Sequence, residues 1–280
     1  MKQVYLIPNM ITAFGLACGL FVIFKVNMIE PGLGTYDMVQ KAALLILLAA
    51  LADFIDGAVA RAFHANSDFG IHFDSMADAI SFGVAPSVIL LKTLSLEQGS
   101  LLSFCAAGGA MIFSLCGILR LVRFNLKTLE AKKNITITGP QKKHFTGLPI
   151  PAAAAASISI NLFFLSPFFN DYLAISNFGR AITLSAVNIF LGYLMVSRWM
   201  FPALKGLHFR IPSFYLAILS GVAAIFVLYG IFYYFSLVFF VFSWGYISIA
   251  FLIAIIRSII GKKLKNFEDY DPDDDDDDED

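Results

Sequence analysis

Four aspartates, Asp53, Asp56, Asp74 and Asp78, sit in the stretch "DFIDGAVARAFHANSDFGIHFDSMAD" between two long apolar runs. A carboxylate at the centre of a bilayer-spanning helix costs about 2.5–3.5 kcal/mol, so four cost on the order of 10–14 kcal/mol unless something offsets them. On an ideal helix Asp53, Asp56, Gly57 and Ala60 share an arc of about 100°. Gly70, Asp74 and Asp78 share one of about 80° on the next helix. Helices joined by a short loop are natural antiparallel neighbours, so the two faces are expected to meet. Four converging carboxylates cannot all stay ionised without cations. Two divalent ions resolve the conflict. A donor set of oxygen alone, without His or Cys, suits a hard ion such as Mg²⁺, Mn²⁺ or Ca²⁺. Two such ions about 3.5–4 Å apart form the usual clamp for phosphoryl transfer. Gly57 and Gly70 leave room for close backbone approach, and Arg61, one turn on, is placed to meet a phosphate. The plain alternative is a set of acids neutralised by Lys or Arg from other helices.

The elements that must hold this stretch are read from composition. The chain has 280 residues, of which 58% are hydrophobic and only 15% charged, and its mean hydropathy is +0.75. Apolar runs of about 20 residues recur along it without the alternation of a barrel strand. The expected fold is therefore an all-α integral membrane protein with about eight transmembrane helices, near 5–26, 41–63, 72–94, 101–124, 150–168, 180–200, 212–233 and 236–257. With both termini cytoplasmic, the inner side holds most of the basic residues, including Arg61, Arg120, Arg123, Lys142 and Lys143, and the outer side only Lys25, Lys41, Lys92 and Arg180. That asymmetry favours this orientation. It places the aspartates towards the cytoplasmic face of a multi-pass protein. Asp68 is expected to cap or precede the third span, outside the site. Pro86, after Gly83, is expected to kink that span.

All 20 basic residues lie in 1–267, with only 10 acids. The remaining 11 acids lie between Glu268 and Asp280. The division is a membrane domain over 1–262 and a disordered acidic tail over 263–280. Cys18, Cys105 and Cys116 lie in apolar runs with no CxxC, and read as small buried hydrophobes. The aromatic stretch "YGIFYYFSLVFFVFSWGY" reads as lipid contact, interface belt or oligomer packing. Nothing suggests a nucleic-acid partner.

The pattern D-x2-D-G-x2-A-R-x8-G-x3-D-x3-D, carried by Asp53, Asp56, Gly57, Ala60, Arg61, Gly70, Asp74 and Asp78, resembles the signature of the CDP-alcohol phosphotransferase family without a departure. The resemblance implies a membrane enzyme that moves a phosphatidyl-type group from a CDP-linked donor to an alcohol and releases CMP. It implies that all four aspartates hold two metal ions, Mg²⁺ or Mn²⁺, and that Asp78 is also the catalytic base. It implies a homodimer among membrane lipids. Asn9 and Thr12, three residues apart at the start of the first span, match positions that border the family's cytidine pocket; an ordinary helix start explains them equally.

"DSMADAISFGVAPS", "RLVRFN" and "FTGLPIPAAA" are similar to the branch of that family whose acceptor is L-serine and whose donor is CDP-diacylglycerol. Serine brings a carboxylate, and Arg120 or Arg123 could hold it by two parallel bonds; both could equally be positive-inside anchors. Lys142 and Lys143 are weaker candidates. Glycerol 3-phosphate or inositol phosphate is the alternative acceptor. A cation transporter is the reading from another class, but neither internal repeats nor broken mid-membrane helices support it. Serine transfer through a phosphohistidine needs an HxK motif, and none of His64, His72, His144 and His208 begins one. Removing Glu268–Asp280 is expected to leave catalysis nearly unchanged, measured as metal-dependent CMP release by the purified full-length and shortened proteins.

Overall fold

The computed structural model describes residues 6–63, 67–97, 99–134, 147–172, 175–197 and 233–268. The span expected at 212–233, Lys142 and Lys143 and the acidic residues after Glu268 lie outside the described residues, apart from Tyr233. The described residues are nearly all helical. The helices are α1 (Leu6–Asn27), α2 (Tyr36–Ala62), α3 (Asp68–Asp78), α4 (Ala85–Thr93), α5 (Leu101–Asn134), α6 (Ile150–Leu165), α7 (Pro167–Tyr172), α8 (Asn177–Val196) and α9 (Phe235–Glu268). A π-helical turn, Ala79–Val84, joins α3 to α4. Among the described residues six helical segments are long and apolar enough to cross a membrane: α1, α2, α3 through α4, α8, and parts of α5 and α9. The all-α membrane fold expected from composition is the one found.

Local chemistry explains most boundaries. Thr35 caps α2 by accepting from Met38 N, which starts that helix five residues before the expected 41. Ser67 caps α3 by accepting from Gly70 N at 3.0 Å. Asp68 is therefore the first helical residue and not the cap. Pro86 cannot donate to the carbonyl four residues back and its ring would crowd it. The chain meets this with the π turn, in which Ala85 N–H reaches Ile80 O. The expected disturbance of the third span is thus a widened turn that begins directly after Asp78. The fifth span was expected to run over 150–168, but Ser166 adopts an extended conformation ahead of Pro167 and divides α6 from α7. The last helix runs to Glu268, across the boundary between 262 and 263 at which the tail was expected to begin.

Helix α6 has only 16 residues. It is buried all round, from Ile150 and Ala153 to Asn161 and Leu162, and packs against α2, α4, α8 and α9. An apolar helix without a polar face belongs in such a core. Polar rungs tie it to its neighbours. Ser157 donates to Asn188 Oδ1 of α8 at 2.9 Å, and the Ser159 and Ser243 hydroxyls of α6 and α9 are 2.7 Å apart. Its entry is pinned as well: Gly147 has φ +87 and Leu148 N donates to Leu194 O at 3.1 Å. Any side chain at Gly147 would meet the Met195 carbonyl.

Small residues let α1 come close to its partners. Gly15 faces Ala49 and Ala52 of α2. Gly19 lies against Ser81, and a Cβ there would fall 2.8 Å from Ser81 Cα. Such contacts are how membrane helices associate when lipid is as apolar as the helices themselves. Gly19→Val is expected to destabilise the protein by about 1–3 kcal/mol, read as a lowered thermal unfolding midpoint in detergent. Gly108→Ala, where a Cβ meets nothing within 4 Å, should leave that midpoint nearly unchanged.

Candidate active site

Helix α2 carries Asp53 and Asp56 near its C-terminal end, and α3 carries Asp74 and Asp78. One carboxylate oxygen from each of Asp53, Asp56 and Asp74 lies within 4.8 Å of the other two. Asp78 lines the same pocket, together with Thr12, Gly15, Ala77 and Ser81. The pocket encloses about 10 Å³, near the space that one water needs, about 10–15 Å³. The structure therefore brings together the four aspartates picked out in the sequence.

It does so by a different route from the one expected. Helices α2 and α3 make little backbone contact with each other; α1 packs against both. The acids reach across a gap whose floor is α1. Thr12 of α1 lies with its hydroxyl 2.5 Å from Asp56 Oδ2 and 3.0 Å from Pro8 O. Its one proton makes the stronger bond to the carboxylate. Asp56 is only 5% exposed, so this bond orients a buried charge. The Asp53 and Asp74 carboxylates face each other across the gap between α2 and α3, with oxygens within 4.8 Å. Ser81, in the π turn, donates to Gly15 O at 3.4 Å and so ties the far wall of the pocket to α1.

Among the described residues no lysine or arginine forms an ion pair with any of the four aspartates. The alternative of neutralisation by basic side chains thus finds no direct ion pair among them, and only Arg120 acts on one of the four, Asp78, without pairing with it. Carboxylates this close, with no His or Cys in the group, fit a hard divalent cation. Asp53, Asp56 and Asp74 have the mutual spacing to share one ion, and Asp78 stands beside them.

The remaining residues singled out in the sequence fall around this pocket. Arg61 is exposed, and its guanidinium lies over Gly57: a Cβ at Gly57 would be 3.3 Å from Arg61 Nη1. Ala60 is half-buried on α2 and outside the pocket lining. Asn9 meets the start of α3, its Oδ1 lying 3.1 Å from where a Cβ of Gly70 would be. Arg120 and Arg123 of α5 differ. Arg123 donates to Val196 O at 2.8 Å and Ser197 O at 3.3 Å, satisfying the C-terminal carbonyls of α8. Arg120 interacts electrostatically with Asp78 and Tyr246, and its buried Nε has no hydrogen-bond partner.

Three further residues enter the site without having been assigned a role. Asn125 Nδ2 donates to Ser75 Oγ at 2.8 Å, and Ser75 Oγ donates to Ile71 O at 3.0 Å. This chain ties α5 to α3 beside Asp74. Both residues stand in the quoted segments "RLVRFN" and "DSMADAISFGVAPS", but their pairing across the bundle is not visible in spacing. Tyr246 belongs to the aromatic stretch read as lipid contact or packing. Tyr233, Tyr234, Val241 and Phe242 are exposed, whereas Tyr246 turns inward to Arg120.

Comparison with known proteins agrees with this geometry. The pattern of the CDP-alcohol phosphatidyltransferase family matches residues 5–242. The CDP-diacylglycerol–serine O-phosphatidyltransferase of Helicobacter pylori is 32% identical over 218 residues, covering 78% of this chain and 81% of that protein. The enzyme of the same name from Bacillus subtilis is 35% identical over 199 residues, covering 71% and 91%. The archaetidylserine synthase of Methanothermobacter thermautotrophicus is 36% identical over 174 residues, covering 60% of each. On the match over most of its length, the chain belongs to the CDP-alcohol phosphatidyltransferase family.

Proposed function

We propose that the protein transfers the phosphatidyl group of CDP-diacylglycerol to L-serine, forming phosphatidylserine and releasing CMP. The observation that carries the reaction type is the pocket of four aspartates with no described ion pair. The acceptor rests on the relatives, whose names are those of serine enzymes.

In this reading Asp53, Asp56, Asp74 and Asp78 hold two divalent cations, Mg²⁺ or Mn²⁺. The cations supply charge neutralisation for the pyrophosphate and its leaving CMP. The chain does the rest. Thr12 keeps Asp56 oriented from below. Asn9, Gly57, Ala60, Arg61 and Gly70 border the CDP moiety at the ends of α1, α2 and α3, with Arg61 towards its phosphates. The serine hydroxyl oxygen bonds to the phosphorus that carries diacylglycerol, and the bond from that phosphorus to the CMP oxygen breaks. Asp78 accepts the hydroxyl proton. Arg120, close enough to act on Asp78, holds the serine carboxylate and so aims the hydroxyl. Arg123 supports it by closing the end of α8. The active site faces the cytoplasm, as the distribution of basic residues argues. The homodimer belongs to this proposal on the family resemblance alone.

The test uses purified protein with CDP-diacylglycerol and Mn²⁺ or Mg²⁺. Serine should stimulate CMP release and a chelator should abolish it; stimulation by glycerol 3-phosphate or inositol phosphate instead would replace the acceptor. Asp56→Asn should abolish turnover in a protein that stays folded. Asp78→Asn should lower kcat by about 10²–10⁴-fold, the range for loss of a general base, with a smaller effect on donor binding. Normal turnover in either variant would remove that residue from its role. Arg120→Ala should raise the serine KM by about ten-fold or more, as loss of a charge-assisted contact does. Arg123→Ala should act mainly on thermal stability. A reversed pattern would exchange the two arginines.

A further inference from the structure

The end of the bundle away from the aspartates presents the opposite electrostatic problem. Thr93, the last residue of α4, is roughly 28 Å from Asp74 at 1.5 Å per residue. There Asn161 Nδ2 of α6 donates to Thr93 Oγ1 at 2.9 Å. Asn161 Oδ1 accepts from Nη2 of Arg180, in the first turn of α8, at 3.0 Å. Asn161 is 1% exposed and Thr93 3% exposed, so this is an interior network. Its amide is neutral, however, and leaves the guanidinium charge unbalanced. Arg180 Nε is buried without a hydrogen-bond partner, and among the described residues no carboxylate pairs with Arg180. A half-buried cation whose inner nitrogen has no partner and which has no counter-charge is costly. Beside it lies a cavity of about 80 Å³, lined by Phe164, Leu165, Phe169, Ile175, Asn177 and Arg180. That is several times what one water needs, about 10–15 Å³. One part of the lining is cationic and amide, the rest is aromatic and aliphatic.

We propose that this cavity binds the headgroup phosphate of an anionic phospholipid. Arg180 supplies the charge and a planar set of donors that matches two phosphate oxygens. Asn177 adds an amide donor at the rim. Phe164, Phe169 and Ile175 cover the glycerol and the first acyl carbons. Inorganic phosphate shares the anionic chemistry but has nothing to offer these apolar walls. The site is separate from the aspartate pocket, and the proposal does not depend on the reaction assigned to that pocket.

The experiment measures binding of phosphatidylglycerol to the detergent-solubilised full-length protein by native mass spectrometry, with CDP-diacylglycerol at saturation to fill the aspartate pocket. Wild type should retain one more phosphatidylglycerol than Arg180→Gln does, with affinity falling about ten-fold or more in the variant, as loss of a charge-assisted contact predicts. Equal affinity in the two proteins would overturn the proposal. If Arg180→Gln does not fold, Ile175→Trp, which fills the cavity and keeps the charge, should lower affinity to a similar degree; unchanged binding would again overturn it. Phosphatidylcholine should not compete. Inorganic phosphate that displaces the lipid at equal concentration would make this a free-anion site and overturn the lipid assignment.

Discussion

The arrangement turns on one constraint: several carboxylates must share a small interior space in which, among the described residues, none of them has a direct ion-pair partner. Such a cluster is unfavourable by itself, so it persists only where surrounding structure holds it. Here that structure is α1. Its Thr12 hydroxyl fixes Asp56, its Gly15 admits α2 closely, and its backbone receives Ser81 from the π turn. The π turn begins one residue after Asp78, so the backbone is widened where the acidic face of α3 ends. Proline chemistry at residue 86 and the carboxylate at residue 78 are thereby linked through a single stretch of backbone.

The rest of the bundle supplies stiffness without large hydrophobic contrast. In a membrane, burying one apolar helix against another gains little over lipid, and close packing and hydrogen bonds carry more of the specificity. Helix α6 illustrates this. Its small residues bring α2, α4, α8 and α9 around it, and Ser157, Ser159 and Asn161 give it a distinct polar partner on each of three neighbours. Trp244 adds a fourth tie through its Nε1–H to Ala156 O. These rungs hold α8 in place, and α8 in turn receives Arg123, which sits one helical turn from Arg120.

The two ends of the bundle complement each other. One gathers negative charge and suits cations and a pyrophosphate. The other holds a half-buried positive charge beside a cavity and suits an anion. An enzyme that handles a lipid diphosphate needs the first. The second serves the embedding of the bundle in its lipid, since a headgroup at Arg180 would sit beside the polar rung that joins α4, α6 and α8.

Much of the site was legible in the sequence because carboxylates in apolar helices are rare and costly, so their presence and their helical spacing carry information. The pattern from Asp53 to Asp78 named the acids, placed each pair on one face and pointed to oxygen-only metal ligation. Composition likewise established the helical membrane class. Helix ends were less legible, because caps such as Thr35 and Ser67 and the break before Pro167 act over one or two residues. What only the tertiary structure decided are the contacts between residues far apart in the chain. Thr12 to Asp56, Asn125 to Ser75, Arg123 to the end of α8 and Arg180 to Asn161 each join different helices. Spacing along one helix reports which residues share a face. It does not report which other helix that face meets, because that depends on how the bundle's small residues and polar rungs pack.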